Sequence, residues 1–196
     1  YNSTVDKTSV ATSQINTFFG SVSSSAFSWD VETKTVLYSG VETEWSYRRF
    51  ILHMATIAQA AGANDILIGS KLTGLTGVRG LNNSFPAVDC LKALAAEVRT
   101  IVGSYTNISY AADWTEYHSY KPNDGTDDVL FPLDSLWSDS NIDYIGINNF
   151  LPLGDWRNGR GGTDCVVGGY TSPYQKEYIQ SNIEGGEYYD WHYKSE

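Results

Sequence analysis

The fold is decided by a short apolar run, Asn64-Asp65-Ile66-Leu67-Ile68-Gly69-Ser70. Its consecutive apolar residues favour a strand of a parallel sheet that is covered on both faces. Similar runs follow at residues 108–113 and 144–148, so three apolar strands recur about forty residues apart. Because helical segments separate these runs, the order predicts βαβ units and therefore an α/β fold with a parallel sheet.

The segments around these strands carry helix signals, namely apolar periodicity and capping residues at the ends. On the segment before the first strand, Ile51, Met54 and Ala58 predict one buried face. Helices are predicted over residues 7–19 with Asp6 as the N-cap, 45–61, 86–102, 132–136 and 173–185, a hairpin over 27–31 and 35–38, and glycine-rich loops over 71–83 and 155–172.

A (β/α)₈ barrel and an open doubly wound sheet both fit this order of elements. The spacing of Gly74, Gly77 and Gly80 does not match a dinucleotide-binding fingerprint, which favours the barrel. A complete barrel has about 250 residues, whereas this sequence has 196. We therefore expect residues 1–196 to form a single TIM-barrel-like domain that holds only part of the barrel.

Composition excludes several classes of function. A net charge of −10 argues against binding to nucleic acid or to an anionic membrane surface, and no apolar run is long enough to span a bilayer. No cluster of Cys and His has metal-site spacing, so no metal or other cofactor is expected. The residues concerned are Cys90, Cys165, His53, His118 and His192.

Polar and aromatic residues follow each predicted strand. In (β/α)₈ barrels the functional site lies at the carboxyl ends of the strands. The candidate substrate-binding residues are Trp114, Asn148, Asn149, Asp155 and Trp156. Trp114 and Trp156 are the best candidates for sugar contact, since their rings offer an apolar face with a polar tip. Trp29, Trp45 and Trp137 are expected in the core or as helix anchors.

Two carboxylates follow the second strand, Asp113 and Glu116. Glycoside hydrolysis needs two carboxyl groups that flank the scissile bond. These two come from one strand end, whereas a working pair normally spans the site. They remain candidate catalytic residues. In the alternative, Asp113 forms hydrogen bonds at the top of the barrel and Glu116 faces solvent.

Lys71 stands at the mouth of the first strand, beside Ser70. A buried lysine with a lowered pKa can act as a Schiff-base nucleophile. Pairing with Asp113 is the favoured interpretation.

Longer motifs occur in a fixed order at residues 6–8, 18–20, 45–53, 68–76, 85–88, 109–117, 145–157, 185–187 and 189–191. They resemble the TIM-barrel-like, glycoside hydrolase-like domain of the large gene transfer agent tail protein. In that family's pattern a Glu with the position of a general acid/base stands where this sequence has Lys71, and Asp tends to stand at Asn148. The resemblance implies that a further Glu, the nucleophile, lies beyond Glu196.

These departures remove acid chemistry, because a lysine cannot replace a carboxylic acid that donates a proton near neutral pH. The first hypothesis is therefore a glycan-contacting domain at the tail tip or baseplate hub of a phage or gene transfer agent, with impaired or no hydrolysis. The alternative is an active glycoside hydrolase that degrades peptidoglycan or surface polysaccharide during host entry. A third, unrelated α/β domain with a small-molecule site is least favoured. Whether the chain is an enzyme stays open.

The resemblance also implies the setting in which the domain works. The expected partners are a cell-envelope glycan and other tail or baseplate proteins, with no nucleic acid and no membrane insertion. A homotrimer in the assembled tail is a further expectation from the resemblance. The protein would be made in the bacterial cytoplasm and act, as part of a virion or phage-like particle, at the envelope of the recipient cell.

Overall fold

The structure is a computed structural model that describes residues 5–150, 165 and 168–185. The chain divides into two compact units, Tyr1–Asn148 and Asn149–Glu196. The single domain expected over residues 1–196 from the sequence stays a prediction.

The first unit alternates helices and strands in the predicted order. Its elements are α1 (Ser9–Phe19), β1 (Phe27–Asp30), β2 (Thr35–Tyr38), α2 (Tyr47–Ala61), β3 (Asp65–Ser70), α3 (Thr73–Thr76), α4 (Pro86–Val102), β4 (Asn107–Asp113), α5 (Asp134–Trp137) and β5 (Gly146–Asn148). Short 3₁₀ turns lie at Ser24–Ala26 and Leu81–Asn83. The second unit contributes α6 (Lys176–Gly185). No helix among the described residues is both long and apolar enough to cross a membrane.

The three predicted strands form one parallel sheet in the order β3-β4-β5. The α/β prediction is therefore confirmed, and so is the hairpin, in which β1 pairs with β2 antiparallel. The loop predicted over residues 71–83 is partly wrong, because it contains α3 and a 3₁₀ turn. The loop predicted over 155–172 lies mostly outside the described residues.

The first helix is capped by Thr8 and not by the predicted Asp6. Thr8 Oγ1 accepts a hydrogen bond from the N–H of Ala11 at 3.2 Å, which satisfies a free donor of the first turn. Asp6 is engaged elsewhere: its Oδ2 accepts from Nε of Arg79 at 2.8 Å. Arg79 is only 1% exposed, and a buried guanidinium is strongly destabilising without a charged partner. The Asp6 carboxylate therefore pairs with Arg79 and does not cap the helix.

The centre of the core is α4, whose predicted apolar stripe is buried. It packs against α1, α2 and one face of the sheet. The stripe consists of Val88, Leu91, Leu94, Ala95, Val98 and Val102. The sheet supplies the fully buried residues Ile68, Ile108, Tyr110 and Ala112 to the same cluster.

The opposite face of the sheet is only partly covered in the part of the chain that the structure describes, where Ser109 and Ala111 of the central strand β4 are buried. Leu67, in the middle of β3, is 46% exposed, so among the described residues the predicted cover on both faces is found for β4 and not for β3. The reason is the width of the sheet: closing a barrel around its own interior takes about eight strands.

Candidate functional site

The carboxyl ends of β3, β4 and β5 bring together Ser70, Lys71, Asp113 and Asn148. Asp113 lies opposite Asn148 in the register of β4 and β5, and Ser70 lies opposite Ala111. The Asn148 Nδ2 atom donates to Ser70 Oγ at 2.8 Å and to the carbonyl oxygen of Ala111 at 3.1 Å. The side-chain amide thus reaches across the central strand and ties the ends of the two outer strands together.

Lys71 follows β3 directly and turns toward β4. Its backbone has a φ of 53°, in the left-handed region, and its N–H donates to the carbonyl oxygen of Ala111 at 3.0 Å. Its Nζ lies 3.5 Å from Asp113 Oδ2. The predicted pairing of these two residues is confirmed. The position of Lys71 at a degenerate acid/base site remains an interpretation from the family resemblance.

Asp113 is held as a carboxylate. Its Oδ1 accepts from the backbone N–H of Thr115 at 3.0 Å and from the Thr115 hydroxyl at 2.7 Å. These hydrogen bonds hold the pKa of Asp113 below its usual value; burial acts in the other direction, and the ammonium group of Lys71 adds a smaller lowering. An acid of lowered pKa is a poor proton donor near neutral pH, so Asp113 has the opposite of the property that a general acid needs.

Glu116 does not face solvent, contrary to the expectation from the sequence. It is 7% exposed. A tight turn, in which its N–H donates to the carbonyl oxygen of Asp113 at 2.8 Å, carries the side chain back beneath the strand end. There Oε1 accepts from the hydroxyls of Thr76 at 2.5 Å and Tyr110 at 2.9 Å, and Oε2 accepts from the N–H of Asp113 at 3.0 Å. Both oxygens therefore bind protein groups.

Tyr110 is a site residue that sequence reasoning missed. It is fully buried in β4, and its hydroxyl donates to Glu116 while accepting the N–H of Leu72 at 2.7 Å. Burial, and then the negative charge of Glu116, raise the pKa of Tyr110. A signal was available in the sequence, because a tyrosine among apolar strand residues needs a partner for its hydroxyl.

Glycine at position 69 lets two tyrosines approach β3 closely. A Cβ there would lie 2.7 Å from the hydroxyl oxygen of Tyr47 and 3.1 Å from the Tyr110 ring. The Tyr47 hydroxyl donates to the carbonyl oxygen of Ile68 at 2.9 Å, and burial raises the pKa of Tyr47 to about 12. Tyr47 and Tyr110 thus both lie against β3 at Gly69, just before the strand end.

The predicted aromatic contacts have different outcomes. Trp114 is half-buried next to Asp113, and its role in sugar contact stays a prediction. Trp45 is not a core residue: it is 83% exposed, and its ring covers the guanidinium of Arg49 at 4.2 Å. Trp137 does anchor α5, since its ring lies 6.2 Å from that of Tyr110.

Three further predicted binding residues stay predictions. Asn149 begins the second compact unit, and Asp155 and Trp156 lie outside the described residues. Within residues 5–150, 165 and 168–185, no group of three or more His, Cys, Asp or Glu side chains is placed to hold a metal ion.

Comparison with known proteins identifies the family. The model of the GTA TIM-barrel-like domain matches residues 45–196, which is most of the chain, including β3, β4 and β5. No curated protein and no solved structure matches the sequence. The resemblance inferred from the motifs is confirmed: this chain belongs to the GTA TIM-barrel-like domain family.

Proposed function

We propose that this domain contacts a cell-envelope glycan from the tail tip of a gene transfer agent or related phage-like particle and does not cleave it. Family membership supports a component of a gene transfer agent particle. The tail-tip position, the glycan and the absence of hydrolysis are the proposed part. The sheet of three parallel strands, with Leu67 of β3 exposed on one face, fits a partial barrel within a larger protein.

The observation that carries the proposal is the ion pair between Lys71 and Asp113. In a glycosidase one carboxyl group must be protonated to donate to the leaving oxygen, and its neighbours keep its pKa high. At this strand end an ammonium group stands beside the carboxylate, which favours the ionised form instead. Asp113 is thereby suited to hydrogen bonding and unsuited to acid catalysis.

Glu116 supports the same conclusion by a different route. Hydrolysis by an acid and a nucleophile needs carboxyl groups on opposite sides of the bond. Glu116 lies on the same strand end as Asp113 and uses its oxygens for Thr76, Tyr110 and the backbone of Asp113. To reach a sugar it would have to leave several buried donors without an acceptor, which costs about 1–3 kcal/mol for each donor.

The remaining surface is suited to binding sugar hydroxyls. The Lys71 ammonium group, the Ser70 hydroxyl and the Asn148 amide combine donors and acceptors at one edge of the sheet. Trp114, half-buried beside them, adds an aromatic side chain of the kind that covers the apolar face of a sugar ring. The same surface could be presented in a homotrimeric tail with other tail or baseplate proteins as neighbours.

Co-sedimentation with insoluble glycan tests the proposal. The full 196-residue chain is incubated with purified peptidoglycan and with bacterial surface polysaccharide. We expect retention on one of them, with no shortened products by mass spectrometry. Asn148→Ala is expected to weaken retention, whereas Lys34→Ala, in the exposed turn between β1 and β2, serves as the matched control. The absence of retention on every glycan, or the appearance of cleavage products, contradicts the proposal.

A further inference from the structure

A groove that is separate from the strand-end site lies between the β1–β2 hairpin and the C-terminal halves of α2 and α4. Both helices end where the chain enters the first residues of β3 and β4. The groove therefore lies toward the amino ends of the strands, at the opposite end of the sheet from Lys71. It has a volume of about 280 Å³, and its lining includes Ser24, Phe27, Trp29, Thr56, Gln59 and Thr100.

The walls of the groove are fixed by contacts that do not depend on a ligand. The N–H of Ser24 donates to Oε2 of Glu97 on α4 at 2.7 Å. The ring of Phe27 lies 5.0 Å from that of Tyr38 and packs against the core. On α2, the Thr56 hydroxyl donates to the carbonyl oxygen of Leu52 at 2.9 Å. A preformed groove of this kind loses little conformational entropy when it binds a ligand.

Trp29 is the distinctive side chain of the groove. It shares a face of the hairpin with Phe27, because side chains alternate along a strand. Phe27 packs against the core, but Trp29 does not belong to that cluster and lies half-buried along the groove. A large aromatic surface is thus positioned at the groove without serving the core.

The polar groups of the groove are neutral. No lining residue carries a charge, although the whole chain has a net charge of −10. Gln59 on α2 and Thr100 on α4 are exposed along it. Among the described residues, no side-chain hydrogen bond involves the Gln59 amide or the Trp29 indole N–H. An aromatic face with uncharged donors and acceptors around it matches the chemistry of a sugar ring, which has apolar C–H faces and a hydroxyl rim.

We propose that this groove binds a neutral saccharide of one or two rings, with one ring stacked on Trp29 and its hydroxyls bound by the side chains of Gln59 and Thr100. The volume of about 280 Å³ agrees with this size, since it falls near the lower limit of small-molecule sites. The inference does not rest on the function proposed for the strand ends, because the two sites share no residue.

Fluorine NMR of the full chain labelled with 5-fluorotryptophan tests this inference. The chain has six tryptophans, so each resonance can be assigned by a Trp→Phe variant. The probes are cellobiose, maltose and N,N′-diacetylchitobiose. We expect one of them to shift the Trp29 resonance saturably and to leave that of the exposed Trp45 unchanged. Trp29→Ala is expected to lower the affinity measured by calorimetry about tenfold, as loss of an aromatic contact does, and Trp45→Ala is the matched control.

A second variant keeps the test decisive if Trp29→Ala does not fold. Gln59→Leu retains the size of an exposed helix residue and removes its amide, so it is expected to weaken binding while leaving the melting temperature unchanged. The inference is overturned if none of the saccharides shifts the Trp29 resonance. It is also overturned if the probes shift only Trp114, or if an uncharged peptide shifts Trp29 and the saccharides do not.

Discussion

The Nζ atom of Lys71 lies 3.5 Å from Oδ2 of Asp113, where β3 and β4 end side by side. The two side chains are 42% and 17% exposed, so water still reaches the lysine. The pair therefore matters more for the ionisation of Asp113 than for the stability of the fold. This balance leads to the first prediction.

Lys71→Met is expected to raise the pKa of Asp113 toward its usual value. It should not restore that value fully, because the hydrogen bonds from Thr115 lower the pKa more than Lys71 does. Carboxyl-detected NMR titration measures the change, and Lys71→Arg is the control that keeps the charge. The free energy of unfolding should fall by less than about 1 kcal/mol, as for other exposed pairs. An unchanged pKa in Lys71→Met contradicts the pairing.

The pH dependence of this contribution has a definite sign. Because the folded pKa of Asp113 lies below the unfolded value near 3.8, its contribution to stability is present above that value and is lost as the pH falls through the folded pKa. Urea unfolding at pH 6 and pH 3 should therefore show a smaller difference between wild type and Asp113→Asn at the lower pH. A difference that grows on acidification contradicts the direction of the shift.

Glu116→Ala is expected to destabilise the domain by several kcal/mol, since it leaves the Tyr110 hydroxyl and the N–H of Asp113 without an acceptor, at about 1–3 kcal/mol each. The Thr76 hydroxyl would keep only the carbonyl oxygen of Leu72 at 3.3 Å. Glu116→Gln, which keeps one carbonyl oxygen, should cost less. Urea denaturation measures both. If Glu116→Ala lowers the free energy of unfolding by less than about 0.5 kcal/mol, as is usual for surface substitutions, the side chain of Glu116 faces solvent and the account of its burial is wrong.

The coupling of Glu116 to Tyr110 can be measured separately. In a double-mutant cycle with Glu116→Gln and Tyr110→Phe, residues in one hydrogen-bond network show a coupling of about 0.5–3 kcal/mol. Tyr47→Phe is the matched control, since its hydroxyl bonds to the Ile68 carbonyl instead. Additive effects for the first pair would mean that the two side chains do not share a hydrogen bond.

Thr8→Ala is expected to destabilise the first unit by about 1 kcal/mol through loss of the N-cap of α1. Asp6→Ala should act through Arg79, so its effect should shrink when Arg79 is already replaced by Met. Thermal unfolding of the single and double variants measures both effects. If Asp6→Ala lowers the stability by the same amount with and without Arg79, Asp6 does not act through Arg79, and its role as the N-cap of α1 is supported instead.

The strands and the main helices could be predicted because their signals are local. The apolar run around Ile66–Ile68 is typical of a buried strand, and the stripe of α4 has the period of a helix. Glycines such as Gly62, directly after α2, mark where the helices end. The face of α2 was predicted less well: Met54 is 42% exposed, whereas Leu52 and Ala55 are buried. The buried face of α2 is rotated from the predicted one, because the packing of the hairpin and α4 against α2 determines which of its residues are covered.

The partners of the site residues could be predicted only in part. Lys71 and Asp113 were paired correctly, because neighbouring parallel strands end at the same edge of a sheet. The burial of Glu116 depends on Thr76, forty positions away in the chain, and Asp6 is drawn from its helix by Arg79. Hydrogen bonds over such separations leave no periodic signal in a sequence.

Release of reducing ends from peptidoglycan and surface polysaccharide tests the central claim most directly. The wild-type chain and Asp113→Asn are compared across pH 4 to 8, with the retained glycan measured in parallel as a control for binding. We predict that both proteins bind glycan and release no more reducing ends than buffer does at any pH. Turnover by the wild type that Asp113→Asn abolishes would contradict the account and identify Asp113 as a catalytic carboxylate.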